Sequence, residues 1–254
     1  MDGRSENFSV RGRTKRAVVL AGGLGTRLHP YTTVLPKPLM PIGDRPVLDV
    51  VVRQLHRHGF DHITIATGYL AELIEAFFGD GERYGVHIDY FRETSPLGTV
   101  GALALIDDLN DDFLVMNGDV LTDMDYGALL ARHRASDATA TIAVKRRIVK
   151  ISLGVLRFHD GLDPQRITGY VEKPEIDYDA SMGVYCFSPR VLEHIEPEVR
   201  LDFPELVERL LYNEQVVRGW HSDDYWLDIG RHDDYEQAQE EFERLRDRIV
   251  PDGE

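Results

Sequence analysis

The sequence predicts an α/β fold in which a mostly parallel, mixed central sheet lies between two layers of helices. Three observations carry that expectation. The chain has 254 residues, enough for one good-sized α/β domain with a proper core. Short apolar, β-branched runs alternate with amphipathic stretches, the pattern of parallel βαβ units. The first such run opens directly into a glycine-rich loop.

The elements follow in order. Ala17-Val18-Val19-Leu20 reads as a strand. Val47 to His58 has helical spacing through Val47, Val51, Leu55 and His58. Ile63 to Ala66 is a second strand, followed by a helix from about Leu70 to Phe78. Val86 to Phe91 reads as a strand and Val100 to Leu109 as a small-residue helix. Phe113-Leu114-Val115-Met116 is a buried strand ending in Asn117-Gly118-Asp119, and Asp125 is placed to cap a helix from Tyr126 to Arg134. Beyond it, Ala138–Val144, Gly154–Phe158, Arg166–Glu172 and Gly183–Phe187 are strand candidates with fewer helices between them. They suggest a mixed, partly antiparallel sheet laid over the carboxyl edge of the parallel half. A last helix, polar on most positions, runs from about Asp233 to Ile249.

Composition narrows the function classes. Hydrophobic residues make up 43% and charged residues 29%, ordinary for a globular chain. No apolar run reaches the roughly eighteen residues of a membrane span. The single cysteine, Cys186, excludes an internal disulfide framework and a multi-cysteine zinc site, and fits a cytoplasmic protein. The ten histidines show no metal-ligand spacing. Met1 to Arg16 has no apolar core behind its basic residues, so it reads as a frayed tail rather than a secretory signal. No linker or repeat divides the rest, which gives a tail over 1–15 and one domain over 16–254. A net charge of −15 argues against nucleic-acid backbone binding. A polyanion bound here needs a local cation cluster or a metal.

The loop Ala21-Gly22-Gly23-Leu24-Gly25-Thr26-Arg27-Leu28 supplies such a place. Glycines let the backbone approach a phosphate chain and turn N–H groups toward it, although such a turn can also be only a turn. A dinucleotide fingerprint beginning at Gly23 needs glycine where Leu28 stands, and a P-loop needs Gly-Lys-Ser/Thr; neither is present. Lys37, between Pro36 and Pro38, is presented with little freedom to lose on binding. With Arg27 it makes two cations suited to a triphosphate.

The segment LAGGLGTRLHPYTTVLPKPLMPIGDRPVLD resembles the signature of the sugar-1-phosphate nucleotidyltransferases. The resemblance continues through NGDVLTDMDY, Glu172-Lys173-Pro174 and Trp226-Leu227-Asp228-Ile229-Gly230, nearly the whole chain beyond the tail. It implies a Rossmann-like three-layer α/β/α domain with a nucleotide-binding half over about 16–135 and a sugar-phosphate half over about 136–254. By that resemblance Leu20, Ala21, Gly22, Gly23, Gly25, Thr26 and Arg27 cradle the triphosphate with help from Lys37. Glu93, Pro96, Gly98, Thr99 and Gly118 complete the nucleotide site. Asp119, at the carboxyl end of a buried strand where open α/β sheets place their ligands, and Asp228, far away in sequence, hold Mg²⁺. Hard carboxylate oxygens suit that ion, although either aspartate alone can be a turn residue. Gly154 and Gly183 line the sugar, Glu172 holds its hydroxyls and Lys173 its phosphate. As bare sequence, Glu172-Lys173 is only an exposed ion pair.

The partners so implied are an NTP and a sugar 1-phosphate, and the reaction is one in-line displacement with Arg27, Lys37 and Lys173 as its catalytic cations. Glu93 stands where thymidylyl enzymes have glutamine. A carboxylate only accepts hydrogen bonds, and guanine offers two adjacent donors where uracil and thymine offer one; Leu97-Gly98-Thr99 also resembles guanylyltransferases for mannose and heptose phosphates. GTP is therefore the favoured nucleotide, with thymidylyl, uridylyl and cytidylyl transfer as alternatives. Leu153 stands where many members have tyrosine, and Ser181-Met182 where relatives carry Asn-Ala or Val-Thr; both departures face the sugar and point away from common glucose or mannose 1-phosphate. Asp123-Met124-Asp125 also resembles the Asp-x-Asp of metal-dependent glycosyltransferases that use nucleotide-sugars, but that reading leaves the glycine loop and Lys37 without a task. A non-catalytic sugar-nucleotide sensor has little need of Arg27, Lys37, Asp119, Lys173 and Asp228 together. The chain ends soon after its last helix, so no β-helix or acyltransferase domain and no acetyl transfer are expected. Members of the family often self-associate, and a homo-oligomer is compatible with the sequence.

Overall fold

In a computed structural model, residues 15–161 and 163–250 are described. The expected tail up to residue 14 lies outside them, while Lys15 and Arg16 already belong to the first strand. That strand, β1 (Lys15–Ala21), is followed by the short β2 (Pro41–Ile42) and β3 (Arg45–Pro46), helix α1 (Val47–Arg57), β4 (Phe60–Thr67), α2 (Ala71–Phe78) and β5 (His87–Arg92). Next come β6 (Phe113–Asn117), β7 (Val120–Thr122), α3 (Tyr126–Arg134), β8 (Ala140–Lys150), β9 (Gly154–Phe158) and β10 (Ile167–Glu172). The chain continues through β11 (Glu175–Phe187), α4 (Phe203–Tyr212), β12 (Val217–His221), β13 (Trp226–Asp228) and α5 (His232–Ile249).

Seven strands form one sheet in the order β12-β8-β11-β6-β1-β4-β5. Only β11 runs against its neighbours; the β1, β4, β5 and β6 pairings and the β8–β12 pairing are parallel. Successive residues of β1 go to opposite faces: Ala17 and Val19 pack with Leu48, Val51 and Leu55 of α1, Ile74 of α2 and Leu129 of α3. Val18 packs on the other face with Leu103, Val191 and with Leu206 and Leu210 of α4. Helices thus cover both faces, the three-layer arrangement read from the alternation. A third cluster seats Phe242 and Leu245 of α5 against Leu28, Ile42 and Leu121 beside the glycine loop.

Four features differ from the sequence reading. Of the second-half strands, β8, β11 and β12 do not lie over the edge of the parallel sheet but extend it, with β11 inserted between β6 and β8, because the buried β6 needs backbone partners on the edge away from β1; β9 pairs apart with β10, and β13 with β7. The helix expected over Val100–Leu109 is a single 3-10 turn, Gly101–Leu105. Gly101 is pressed so close to Val199 and Leu201 that a Cβ would lie 2.8 Å from Val199 O, and Asp108 takes a left-handed φ of 62°. Helix α4 was not anticipated, although Asp202-Phe203-Pro204-Glu205 carries a capping box with proline in the first turn. The strand β12 is not legible either, because its five residues, Val-Arg-Gly-Trp-His, carry a central glycine and no clear apolar run. Asp125 caps α3 as expected, accepting from Ala128 N at 2.9 Å. Among the described residues no helix is long and apolar enough to cross a membrane.

His133 of α3 is 2% exposed and shares a 2.8 Å hydrogen bond with Thr141 Oγ1. Burial holds its pKa below the ordinary histidine value, outweighing the nearby Asp112 charge. The unfolded chain therefore binds the extra proton first, and stability falls as pH drops below about 6.5 toward the folded pKa. Urea titrations at pH 7 and pH 5 should show a smaller loss in His133→Gln than in the wild type; equal losses would remove His133 from the acid response.

Candidate active site

The site is built at the carboxyl ends of β1 and β6. Beyond Ala21 the chain turns through Gly22, Gly23 and Gly25, the last at φ 61°, into a 3-10 turn at Thr26–Leu28. Thr32 Oγ1 donates to Gly25 O at 2.8 Å, and a Cβ on Gly25 would lie 2.9 Å from Thr32 Cγ2, so this position must be glycine on two counts. Gly118 N donates to Leu20 O at 2.9 Å, which locks the end of β6 to the start of the loop.

These segments and the Glu93–Thr99 stretch wall a cleft of about 690 Å³ that Leu20, Ala21, Gly22, Gly23, Gly25 and Thr26 line on one side. Arg27, Lys37, Asp119, Glu93, Pro96, Gly98 and Thr99 also face it. Pro36 at φ −64° leads into the turn Lys37–Leu39, and Lys37 Nζ forms an ion pair with Asp119. Glu93 is half-buried; Leu97 N donates to its Oε2 at 3.2 Å, and its Oε1 would lie 3.3 Å from a Cβ on Gly22. Its carboxyl is held above the ordinary range by burial, against the Leu97 hydrogen bond. Glu93 therefore belongs to the cleft wall and not to the solvent.

A second cleft of about 470 Å³ adjoins the first, with Thr99, Asn117 and Asp202 common to both. Gly183, Met182, Tyr185, Trp226 and Asp228 are among its other lining residues, and among the described residues no lysine or arginine lines it. Asp228 is brought beside Asp119 by backbone pairing: Asp228 lies opposite Val120, and Ile229 N donates to Asp119 O at 3.1 Å. The Asp228 carboxyl is held above the usual carboxylate range, by desolvation first and by the charge of Asp119 second. Two carboxylates in mutual repulsion at the boundary of two clefts form a place where a hard divalent cation fits.

The structure does not bring every expected residue there. Gly118 lines neither cleft and is buried behind the loop it ties to β6; Gly154, Glu172 and Lys173 line neither cleft either, since they lie on or just past the separate β9–β10 hairpin, and all three are exposed. That hairpin sits beyond a two-stranded ribbon in which Glu175 pairs with Lys150 and Ser181 with Val144. Six steps of extended chain separate cleft-lining Ser181 from Glu175, about 20 Å at the usual strand rise. The Asp-x-Asp carboxylates have structural tasks: Asp123 accepts from Tyr225 N at 2.7 Å and pairs with Arg248, while Asp125 pairs with His58 besides capping α3. The histidines do form one group, since strand pairing sets His62 opposite His87 and beside Asp89, but Arg16 already supplies the cation there, 2.7 Å from His62 Nδ1. Sequence reasoning missed Tyr69, Arg200 and Asp202 as wall residues. The capping box could have found Asp202, whose Oδ1 accepts from Thr99 N at 3.1 Å.

Residues 16–244 match the nucleotidyl transferase family, and the chain belongs to that family. Among its relatives, the UTP–glucose-1-phosphate uridylyltransferase of Synechocystis is 36% identical over 88% of this chain and 62% of its own length. The D-glycero-α-D-manno-heptose 1-phosphate guanylyltransferase of Aneurinibacillus thermoaerophilus is 31% identical over 89% of this chain and 98% of its own. The structure of HddC from Yersinia pseudotuberculosis complexed with GMP-PN superposes with a TM-score of 0.67 at 25% identity, over 90% of this chain and all of that one. The chain thus spans 62% of the Synechocystis relative, and the same share of the mannose-1-phosphate guanyltransferase of Schizosaccharomyces pombe.

Proposed function

We propose that the protein joins a nucleoside triphosphate to a sugar 1-phosphate, giving a nucleotide-sugar and pyrophosphate. One observation carries the reading: the triphosphate-sized cleft and the smaller cleft share walls, and Asp119 and Asp228 meet at their boundary. A sugar-phosphate oxygen attacks the α-phosphorus; that P–O bond forms as the bond to the β-phosphate breaks. The attacking phosphate is already ionised, so no general base is needed, and positioning with charge neutralisation carries the rate. Backbone N–H groups of Gly22–Thr26 and the side chains of Arg27 and Lys37 neutralise the phosphate chain. Asp119 and Asp228 would hold Mg²⁺, which supplies further neutralisation of the triphosphate when bound. The second cleft offers two carboxylates and no cation for a phosphate, so Lys173 serves as its cation once the ribbon bends the hairpin toward the cleft. Glu172 then accepts from sugar hydroxyls, with Gly154 and Gly183 against the ring.

GTP is the proposed nucleotide, because Glu93 presents a carboxylate to the cleft, and the names of the heptose and mannose relatives agree with it. The uridylyltransferase relative supports a second reading, UTP or dTTP by the same chemistry. We place the protein in the cytoplasm, as one domain and without a nucleic-acid or membrane partner; assembly into a homo-oligomer is compatible with this reading. The test is thermal unfolding with Mg²⁺ and each of GTP, dTTP, UTP, CTP and ATP. A nucleotide at about 100 times its Kd adds roughly 2.7 kcal/mol of stability. GTP should raise Tm most. A larger shift with dTTP or UTP would overturn the Glu93 argument and keep the class, and a shift with nucleotide-sugars alone would overturn the class.

A further inference from the structure

The β9–β10 hairpin contains a side-chain arrangement that the proposed reaction does not by itself require. Across this antiparallel pair Glu172 stands opposite Gly154, and Tyr170 opposite Leu156. Tyr170 and Glu172 are two residues apart on one strand and so share a face. The place beside Glu172 where the facing residue would put its side chain is vacant, because that residue is glycine. Tyr170 fills it: a Cβ on Gly154 would overlap the tyrosine Oη and press on its ring. The phenol hydroxyl thereby reaches the Glu172 carboxylate and donates to Oε2 at 2.6 Å. Oε1 has no protein hydrogen bond among the described residues. The next residue, Lys173, takes a left-handed φ of 46°, and its N–H donates to Leu153 O at 3.3 Å, fixing the backbone just beyond the pair.

We propose that Tyr170 is a positioning residue for sugar recognition: it holds Glu172 with one oxygen engaged and the other free to accept a sugar hydroxyl. This rests on the reading above, in which Glu172 is a sugar-binding carboxylate. The physical gain is preorganisation. A glutamate on an exposed strand samples several rotamers, and ordering it costs binding free energy each time a sugar arrives. A tyrosine hydroxyl at 2.6 Å settles that cost in advance, and it does so only because residue 154 has no side chain. Gly154 therefore has a second task besides any backbone contact with the sugar: it makes room for the ring that orients Glu172.

The variant Tyr170→Phe tests this, because it keeps the ring over Gly154 and removes only the hydroxyl. Steady-state kinetics would use GTP with whichever of mannose, heptose or glucose 1-phosphate the wild type turns over fastest. The expected result is a KM for the sugar phosphate raised about three- to tenfold, with kcat and the KM for GTP within about twofold and an unchanged melting temperature. Glu172→Ala, which removes the acceptor altogether, should raise the same KM more. Adding Tyr170→Phe to Glu172→Ala should then change nothing further, since the hydroxyl acts through the side chain at 172. A silent Tyr170→Phe beside an impaired Glu172→Ala would overturn the positioning role. So would a Tyr170→Phe loss that persists undiminished in the Glu172→Ala background, which would mark a merely structural hydroxyl. A silent Glu172→Ala would instead remove Glu172 from sugar recognition, and the proposal with it, while leaving the nucleotide half of the account standing.

Discussion

Asp119→Asn and Asp228→Asn should each lower turnover by about 10²–10³-fold, the usual cost of removing a preorganised electrostatic contact to a transition state that carries so much charge. Both substitutions keep the shape of the side chain. Asp228→Asn should not lower Tm, because it relieves the repulsion between the two carboxylates, whereas Asp119→Asn should lower it, because Asp119 and Lys37, with side chains 21% and 12% accessible, form a largely buried ion pair and Lys37 loses its anion. The half-saturating Mg²⁺ concentration should rise in both variants. That readout separates loss of a metal ligand from loss of the Lys37 contact, which Asp119 makes and Asp228 does not. Pyrophosphate release measured across a Mg²⁺ titration checks the prediction, and full turnover in either variant would remove that aspartate from the metal role.

Glu93→Gln should shift base preference by about 1–3 kcal/mol, or roughly 5- to 150-fold, away from GTP. The carboxylate accepts at both oxygens, so it suits two adjacent donors. The amide accepts at one atom and donates at the other. It would meet one guanine donor with a donor of its own, whereas it can accept from N3–H of uracil or thymine and donate to a neighbouring carbonyl. Leu97 N should still bond the amide oxygen, so the loop should keep its course. Competition between GTP and dTTP in the presence of one sugar 1-phosphate reads the ratio directly. An unchanged ratio would place base recognition elsewhere on the cleft wall.

Much of the fold was legible because its signals are local. Short continuous apolar and β-branched runs at Ala17–Leu20 and Ile63–Ala66 disclose strands with two buried faces, and Val47, Val51 and Leu55 disclose one helix face. The expected helix over Val100–Leu109 failed because small apolar residues fit a tight turn as well as a helix, and the deciding contact, Gly101 against Val199 and Leu201, is some hundred residues distant. The position of β11 was illegible for a related reason: strand order depends on which edges remain open, not on the strand's own residues. At the site, the glycine loop and Lys37 announce themselves through conformational demands that only glycine and proline meet. Asp228 joins Asp119 through the pairing of β13 with β7, strands of three residues each that carry little periodic signal. Glu172 and Lys173 could be named from a motif but not located, because the ribbon beyond Ser181 is exposed and no core packing fixes its direction. Tyr170 escaped notice altogether, since a tyrosine in a strand has no signature until the glycine opposite it is known.

The account stands most directly on one reaction. Purified protein with Mg²⁺, GTP and a panel of sugar 1-phosphates should release pyrophosphate only when a sugar phosphate is present, in equal amount with a new nucleotide-sugar resolved by phosphorus NMR. Pyrophosphate and nucleotide-sugar appearing together with UTP or dTTP instead would revise the base alone. No pyrophosphate with any triphosphate and any sugar 1-phosphate, from protein that binds nucleotide in the cleft, would contradict it.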